Sequence, residues 1–364
     1  MRLLGLNRCE PGMILAQPIF NDRGNMLLSE STKLTNALIE RLEILNINTI
    51  YINGDYVTDG IVIEDDIPYQ KRVEAIRTIE NTFSAIREGN HKSKTLTRGL
   101  MVKEIQQVFD MILAEFRQKK QLLNLLIQIN VKDTCLFTHS LNVTLYAVAM
   151  GIKMGLTYKQ LQNLGVGALL HDIGKLFIPQ YILSKKGALE EAEFEIMKRH
   201  TEYGFEFLRK EPEVSSIIAH CAYQHHEKLD GTGYPRGLKG DEIHLFGRIL
   251  AVADVFDALT SHRVYRNAML PHDAIEIIWA GCHTQFDKRV IEAFHASVAL
   301  YPIGVTVILN TNEAAVVVGN DHNYPQRPLV RVFKDAEGNK LNPYFERDLS
   351  KELSVMITEC EAII

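Results

Sequence analysis

The adjacent pair His171-Asp172 constrains this chain most, because neighbours on a helix diverge by about a hundred degrees and share one pocket only where the helix ends. The sequence supplies that end. The apolar run Leu164–Leu170 reads as a buried helix, Gly174 reads as its C-cap, and Pro179 forbids continuation. Farther on, His200 closes the helical run 190–199 and His225-His226 closes another over 214–224. Asp254 lies inside the apolar stretch Ile249–Phe256, where an unpaired carboxylate is costly to bury and metal coordination is one way to satisfy it. An aspartate has two oxygens and can bridge two cations, whereas His171 serves only one. A lone histidine near a helix end is more often a packing residue than a ligand. Imidazoles and carboxylates recurring on several rigid elements are what a polynuclear metal site requires.

The rest of the chain limits what such a site can serve. With 364 residues, 46% of them apolar, two or three domains and a sizeable core are affordable. A net charge of −5 argues against gripping long nucleic acid by counterion release, yet leaves a small phosphate ligand open, because bound metal would dominate the local field. Cys9, Cys135, Cys221, Cys282 and Cys360 are odd in number and scattered without a CxxC pair, which fits a reducing compartment. There is no basic-then-apolar leader and no apolar run of membrane-spanning length, so a cytoplasmic location is expected.

The expected fold class is mainly α: an all-helical central domain over 131–300, flanked by a small α+β module (1–64) with a helical connector (65–130) on one side and a small β module (301–364) on the other. In the first module Ile14–Phe20 and Met26–Leu28 read as strands around a hairpin loop. Thr35 N-caps a helix carrying Leu38, Ile39, Leu42 and Leu45, and Thr49–Ile52 returns to strand. A sensory or docking role and plain packing both fit it. In the connector, Val73, Ile76, Ile79, Phe83 and Ile86 form a narrow helical stripe, followed by Ile105, Val108, Phe109, Ile112, Phe116, Leu122 and Leu126. A packed antiparallel pair and a dimerising or signal-carrying device both fit that pattern. After Tyr301, Val305–Leu309, Ala314–Val318 and Leu329–Phe333 are β-branched runs that predict strands.

Four motifs occur in order and at specific spacing: His171-Asp172-Ile173-Gly174-Lys175; His200-Thr201 with Gly204; His225-His226-Glu227 with Asp230, Gly231, Gly233, Tyr234 and Pro235; and Val252-Ala253-Asp254 with Asp257-Ala258-Leu259-Thr260. Together, over roughly 133–295, they resemble the HD-GYP family, a branch of the HD-domain metal-dependent phosphohydrolases whose members hydrolyse cyclic di-GMP. The resemblance implies an enzyme with two divalent ions. His139, His171, Asp172 and Asp254 would hold one, and Asp172, as a bridge, with His200, His225 and His226 would hold the other. The nitrogen and oxygen donors suit iron or manganese and leave zinc open. Asp172 and Lys175 are the implied catalytic residues, with the Lys175 ammonium set against a phosphate oxygen. Asp133, Tyr234, Arg263 and Arg266 are the implied substrate contacts, and Asp257 is read as supporting a ligand or capping.

Two positions depart from the family pattern. Cys135 stands where some members carry a glutamate that recruits a third metal. A dinuclear site is therefore expected, with Cys135 a small buried hydrophobe rather than a thiolate ligand. His262 and Val264 replace an acidic residue and a proline. The implied product is linear pGpG, with GMP as a further step. A catalytically weak cyclic-dinucleotide receptor or signalling module, and an HD phosphohydrolase on a related cyclic dinucleotide, are the alternatives. A homodimer and a signalling-protein partner both stay open.

Overall fold

Helix α5 (Tyr158–Leu170) is the hub of the central domain. Its start is fixed by a capping box: Gln160 N–H donates to Thr157 Oγ1 (3.4 Å), and Thr157 N–H donates to Gln160 Oε1 (2.9 Å). From Leu164 to Leu170 every residue is buried, which a helix achieves only when enclosed on all sides. Helices α4 (Cys135–Lys153) and α9 (Ser216–Gln224) pack on it, and α10 (Leu245–Thr260) packs on both of those. Tyr146 of α4, Phe256 of α10 and Phe294 of α12 (Lys288–His295) close the floor, with ring centroids 4.6 to 5.7 Å apart. The computed structural model describes residues 1–20, 26–45, 47, 49–53, 60–61, 67–87, 94–118, 135–185, 187–261, 269–321 and 324–360. Between 135 and 295 every named element among them is helical.

The connector forms helices α2 (Tyr69–Arg87) and α3 (Lys94–Gln118), which pack together and also onto α4 and α5. Ile76, Ile79, Phe83, Ile105, Phe109 and Ile112 belong to the same core as the central helices. A Cβ on Gly165 would lie 2.1 Å from the Phe109 ring, so that glycine is what lets α3 seat against α5. The stripe therefore meets the central domain as well as its own neighbour. Leu122 and Leu126 lie outside the described residues.

The N-terminal module holds a three-stranded sheet of order β1 (Arg2–Gly5), β5 (Thr49–Asn53), β2 (Ile14–Leu15), a hairpin of β3 (Ile19–Phe20) and β4 (Met26–Leu28), and helix α1 (Asn36–Ile44). Thr35 caps α1 as expected, its Oγ1 accepting from Leu38 N–H at 3.3 Å. The single strand expected over Ile14–Phe20 is instead two strands in different sheets. Pro18, which cannot donate to a ladder, sits at the break. The expected hairpin loop 21–25 lies outside the described residues.

The C-terminal module is a five-stranded antiparallel sheet of order β10 (Ile357–Cys360), β6 (Thr306–Leu309), β7 (Ala314–Gly319), β8 (Leu329–Lys334), β9 (Lys340–Asp348). β9 and β10 carry little apolar alternation and were not legible as strands. The two flanking modules meet at β1: Leu3 N–H donates to Gly304 O (2.7 Å), and Thr306 Oγ1 donates to Leu3 O (2.9 Å). Among the described residues no helix is long and apolar enough to cross a membrane.

Arg248 of α10 clamps the site-bearing helix to α12, reaching Asp287 Oδ2 (3.0 Å) and Ile243 O (2.8 Å). Burial pushes the Asp287 carboxyl up, but hydrogen bonds from Arg289 and Arg248 outweigh it and hold the pKa at about 2. A depressed pKa contributes stability that is complete above the unfolded value of 3.8 and is lost as pH falls through about 2. Asp287→Asn is expected to cost about 2 kcal/mol at pH 7 and to flatten the acid limb over that window. Urea melts across the window check this.

Candidate metal centre

Five elements converge at the C-terminal end of α5. His139 lies one turn into α4, and His171 is itself the C-cap of α5, with Asp172 starting a tight 3-10 turn over Ile173–Phe177. Gly174 is therefore not the cap. It lies inside that turn against the start of α8 (His200–Leu208), where an added Cβ would sit 1.8 Å from His200 O and 2.6 Å from Gly204 N. Its lack of a side chain brings the His171-Asp172 corner onto His200. His200 also does not close a helix: α7 (Glu191–Lys198) breaks at Arg199, and His200 opens α8. No Gly or Pro marks that break, so packing against Gly174 rather than local propensity sets it. Gly174→Ala is expected to push α8 away, lowering stability by about 1–3 kcal/mol and reducing bound metal. Thermal melts with metal analysis read both. His225 caps the end of α9, and Asp254 projects from mid-α10.

The seven expected ligand residues come together. Asp172 is fully buried, and its two oxygens face different groups. Oδ2 lies 3.6 Å from His139 Nε2 and 3.4 Å from His171 Nε2, whereas Oδ1 lies 3.5 Å from His200 Nε2 and 3.8 Å from His225 Nε2. Asp254 joins the sides, 3.1 Å from His139 Nε2 and 3.6 Å from His226 Nδ1. Donor atoms of His139, His171 and Asp254, and of His200, His225 and His226, fall within 4.8 Å of one another in two groups, and a third, His171, Asp172 and His225, links them.

Hydrogen bonds set which nitrogen each ring presents. Nδ1 of His171, His200 and His225 faces the carbonyls of Ala168 (2.7 Å), Met197 (2.7 Å) and Cys221 (3.1 Å). A carbonyl only accepts, so each Nδ1 carries a proton and Nε2 is the nitrogen that each ring turns into the centre. Burial lowers His200 to about 4 and His226 to about 3, and holds His225 well below its ordinary value. Uncharged imidazoles are the ligating form. Burial also opposes charge on His139, but hydrogen bonds with Asp254 and Asp257 outweigh it and raise that ring to about 10. Burial raises Asp172 and Asp254, yet Lys175 and His171 beside the first, and His139 and His226 beside the second, keep both well below the carboxylate range.

A cation fits this arrangement on two observations. His200 Nε2 and His225 Nε2 lie 3.3 Å apart, and with both protons committed to carbonyls two lone pairs face each other. His171 Nε2 and Asp172 Oδ1 are buried with no hydrogen-bond partner, an arrangement costly without a charge to meet.

Two groups stand behind the residues that converge. Asp257, read from the sequence as supporting a ligand or capping, lies one turn after Asp254 and accepts from His139 Nδ1–H (2.7 Å) and from Asn142 Nδ2 (2.9 Å); Asn142 was not anticipated. Glu227 is buried and takes the backbone N–H groups of Arg236 (2.8 Å) and Leu238 (2.9 Å), folding the 228–238 loop back over the histidine pair. Tyr234 of that loop packs on His226, centroids 4.8 Å apart, and burial with the nearby Asp254 and Asp172 carboxylates raises its hydroxyl pKa. Lys175 Nζ contacts Asp172 Oδ2 at 2.5 Å. Asp133, Arg263 and Arg266 lie outside the described residues, as does the side chain of Cys135. Of the histidines away from the centre, His244 caps α10, His272 bonds Tyr301 and His295 bonds Gln326.

Residues 119–290 match the HD domain family, and residues 306–363 match a KOW domain associated with HD domain. The central domain is thus an HD domain, the class its helical core and histidine–aspartate centre define. Within that class, its motifs and relatives place it in the HD-GYP family. A cyclic di-GMP phosphodiesterase of Pseudomonas aeruginosa is 34% identical over 228 residues, 62% of this chain and 54% of that protein. A 3′3′-cGAMP-specific phosphodiesterase of Vibrio cholerae is 39% identical over 175 residues, 48% of this chain and 38% of its own. The chain thus spans about half the length, or less, of these relatives. A solved structure, an HDGYP protein of Bdellovibrio bacteriovorus, aligns over 80% of this chain and 97% of its own at 15% identity and a TM-score of 0.46.

Proposed function

We propose that this chain is a metal-dependent phosphodiesterase that opens cyclic di-GMP to pGpG, with the hydrolytic unit in 131–300. The observation that carries this reading is the split of Asp172, one oxygen toward His139 and His171 and the other toward His200 and His225. We assign His139, His171, Asp172 and Asp254 to one divalent ion and Asp172, His200, His225 and His226 to a second. Iron or manganese suits the nitrogen and oxygen donors, and zinc is compatible. Such ions, when bound, supply an activated water and a clamp on the phosphodiester. The protein's own part is to hold ionised carboxylates, and neutral imidazoles at His200, His225 and His226, in fixed positions before substrate arrives. Lys175 is assigned to a phosphate oxygen, a short swing of its ammonium away from Asp172. Tyr234 walls the pocket, and Asp133, Arg263 and Arg266 are assigned to the dinucleotide.

A relative specific by name for 3′3′-cGAMP supports a second reading, in which the substrate is a mixed cyclic dinucleotide. Metal-loaded protein incubated separately with cyclic di-GMP and 3′3′-cGAMP, followed by chromatography, decides between them; faster release of pGpG is the expected result. Bound but uncleaved cyclic di-GMP, with two ions verified, would make the protein a receptor instead.

A further inference from the structure

α7 is a surface helix with no buried residue, yet it carries Phe194 with 45% of its surface exposed. That ring belongs to no core cluster among the described residues. It stands at the rim of the candidate centre: His226 packs on Tyr234, and Tyr234 meets Phe194 at 6.3 Å between centroids and 81° between planes. The two rings form a right-angled corner beside the ligand group. Lys198, one turn along α7, holds its ammonium 5.3 Å from the Phe194 centroid and 5.8 Å from that of Tyr234, and pairs with Glu195.

We propose that Phe194, Tyr234 and Lys198 form a base-binding corner that takes one guanine of the cyclic dinucleotide. The assignment rests on the hydrolytic reading of the adjoining centre. A flat aromatic face beside a phosphate site is a stacking surface for a nucleobase, and a cation over the rings adds a charged group beside that surface. The ammonium selects among bases. Guanine presents O6 and N7, both acceptors, whereas adenine presents an N6 amino donor beside N7 and would set donor against donor. The corner therefore favours guanine over adenine. Phe194 determines binding and specificity without touching the reacting atoms, so its removal should raise KM more than it lowers kcat.

The test uses the full chain loaded with metal, and three substrates: cyclic di-GMP, cyclic di-AMP and bis(p-nitrophenyl) phosphate, which has no base. For Phe194→Ala, the ratio of kcat/KM on cyclic di-GMP to that on the simple diester is expected to fall roughly tenfold or more, mainly through KM. Phe194→Trp should restore it, and Lys198→Met should narrow the preference for cyclic di-GMP over cyclic di-AMP. Parallel losses on both cyclic di-GMP and the simple diester would assign Phe194 to propping the Tyr234 loop and overturn the proposal. An unchanged ratio would overturn it too. If the wild-type protein cleaves neither dinucleotide, the hydrolytic reading is what fails. The corner is then decided by equilibrium binding of cyclic di-GMP to the same variants, where an unchanged Kd in Phe194→Ala overturns it and a tenfold weaker one supports it.

Discussion

Asp172→Ala is expected to strip both metal ions and abolish hydrolysis. Each Asp172 oxygen faces a different histidine group, so truncation removes a donor from both proposed ion sites at once. It also leaves His171, His200 and His225 turned toward one another, with no carboxylate between them to offset two cations. Removing one electrostatic donor from an active site already costs roughly 10²–10³ in rate, so a loss of at least that size is expected here. His226→Ala is the comparison: it lies on one side only, its side chain is 25% exposed, and one ion per chain should remain. Metal content by elemental analysis and turnover of cyclic di-GMP are the two readouts. Two ions per chain in the Asp172 variant would overturn the bridging assignment.

Of the seven residues that converge, His171, Asp172, His200, His225, His226 and Asp254 stood out by residue type and by their place at helix ends or in an apolar stretch, whereas His139 came only from the family resemblance. His171-Asp172 demanded a helix end, and the helix ends there. The manner of ending was not legible. Gly174 looked like a cap because caps are the commonest use of glycine after a helix, whereas its actual use is to admit the His200 carbonyl from a segment 26 positions later. No local rule encodes a close approach between segments. The break at Arg199 has the same origin, since the pattern of 190–199 runs on through α8 without a breaker. In the flanking modules, β-branched runs revealed β6, β7 and β8, but the largely exposed β9 has no β-branched residue. Pro18 did carry a signal for the division of Ile14–Phe20, which the apolar run around it obscured.

Asp257 was read from the sequence as a supporting residue, its partner Asn142 was not, and substitution of Asp257 has the other large expected effect. A carboxylate can only accept, so at 2.7 Å from His139 Nδ1 it keeps the proton there and leaves Nε2 to face Asp172 and Asp254. Asn142 donates to the second oxygen at 2.9 Å and holds the carboxylate in plane with that task. Asp257→Asn nearly preserves volume but offers an amide, whose NH₂ can donate to Nδ1 and move the ring proton to Nε2, the wrong tautomer for a ligand. Loss of such a carboxylate behind a ligating histidine typically weakens metal affinity about 10- to 100-fold. The expected phenotype is one ion per chain at limiting metal, partial recovery at high metal, and a kcat reduced more than KM is raised. Asn142→Ala should show the same direction with a smaller effect, because the carboxylate remains but is free to turn. Metal titrations of the two variants beside wild type carry the decision. If Asp257→Asn binds two ions with unchanged affinity, His139 does not depend on Asp257 for its orientation.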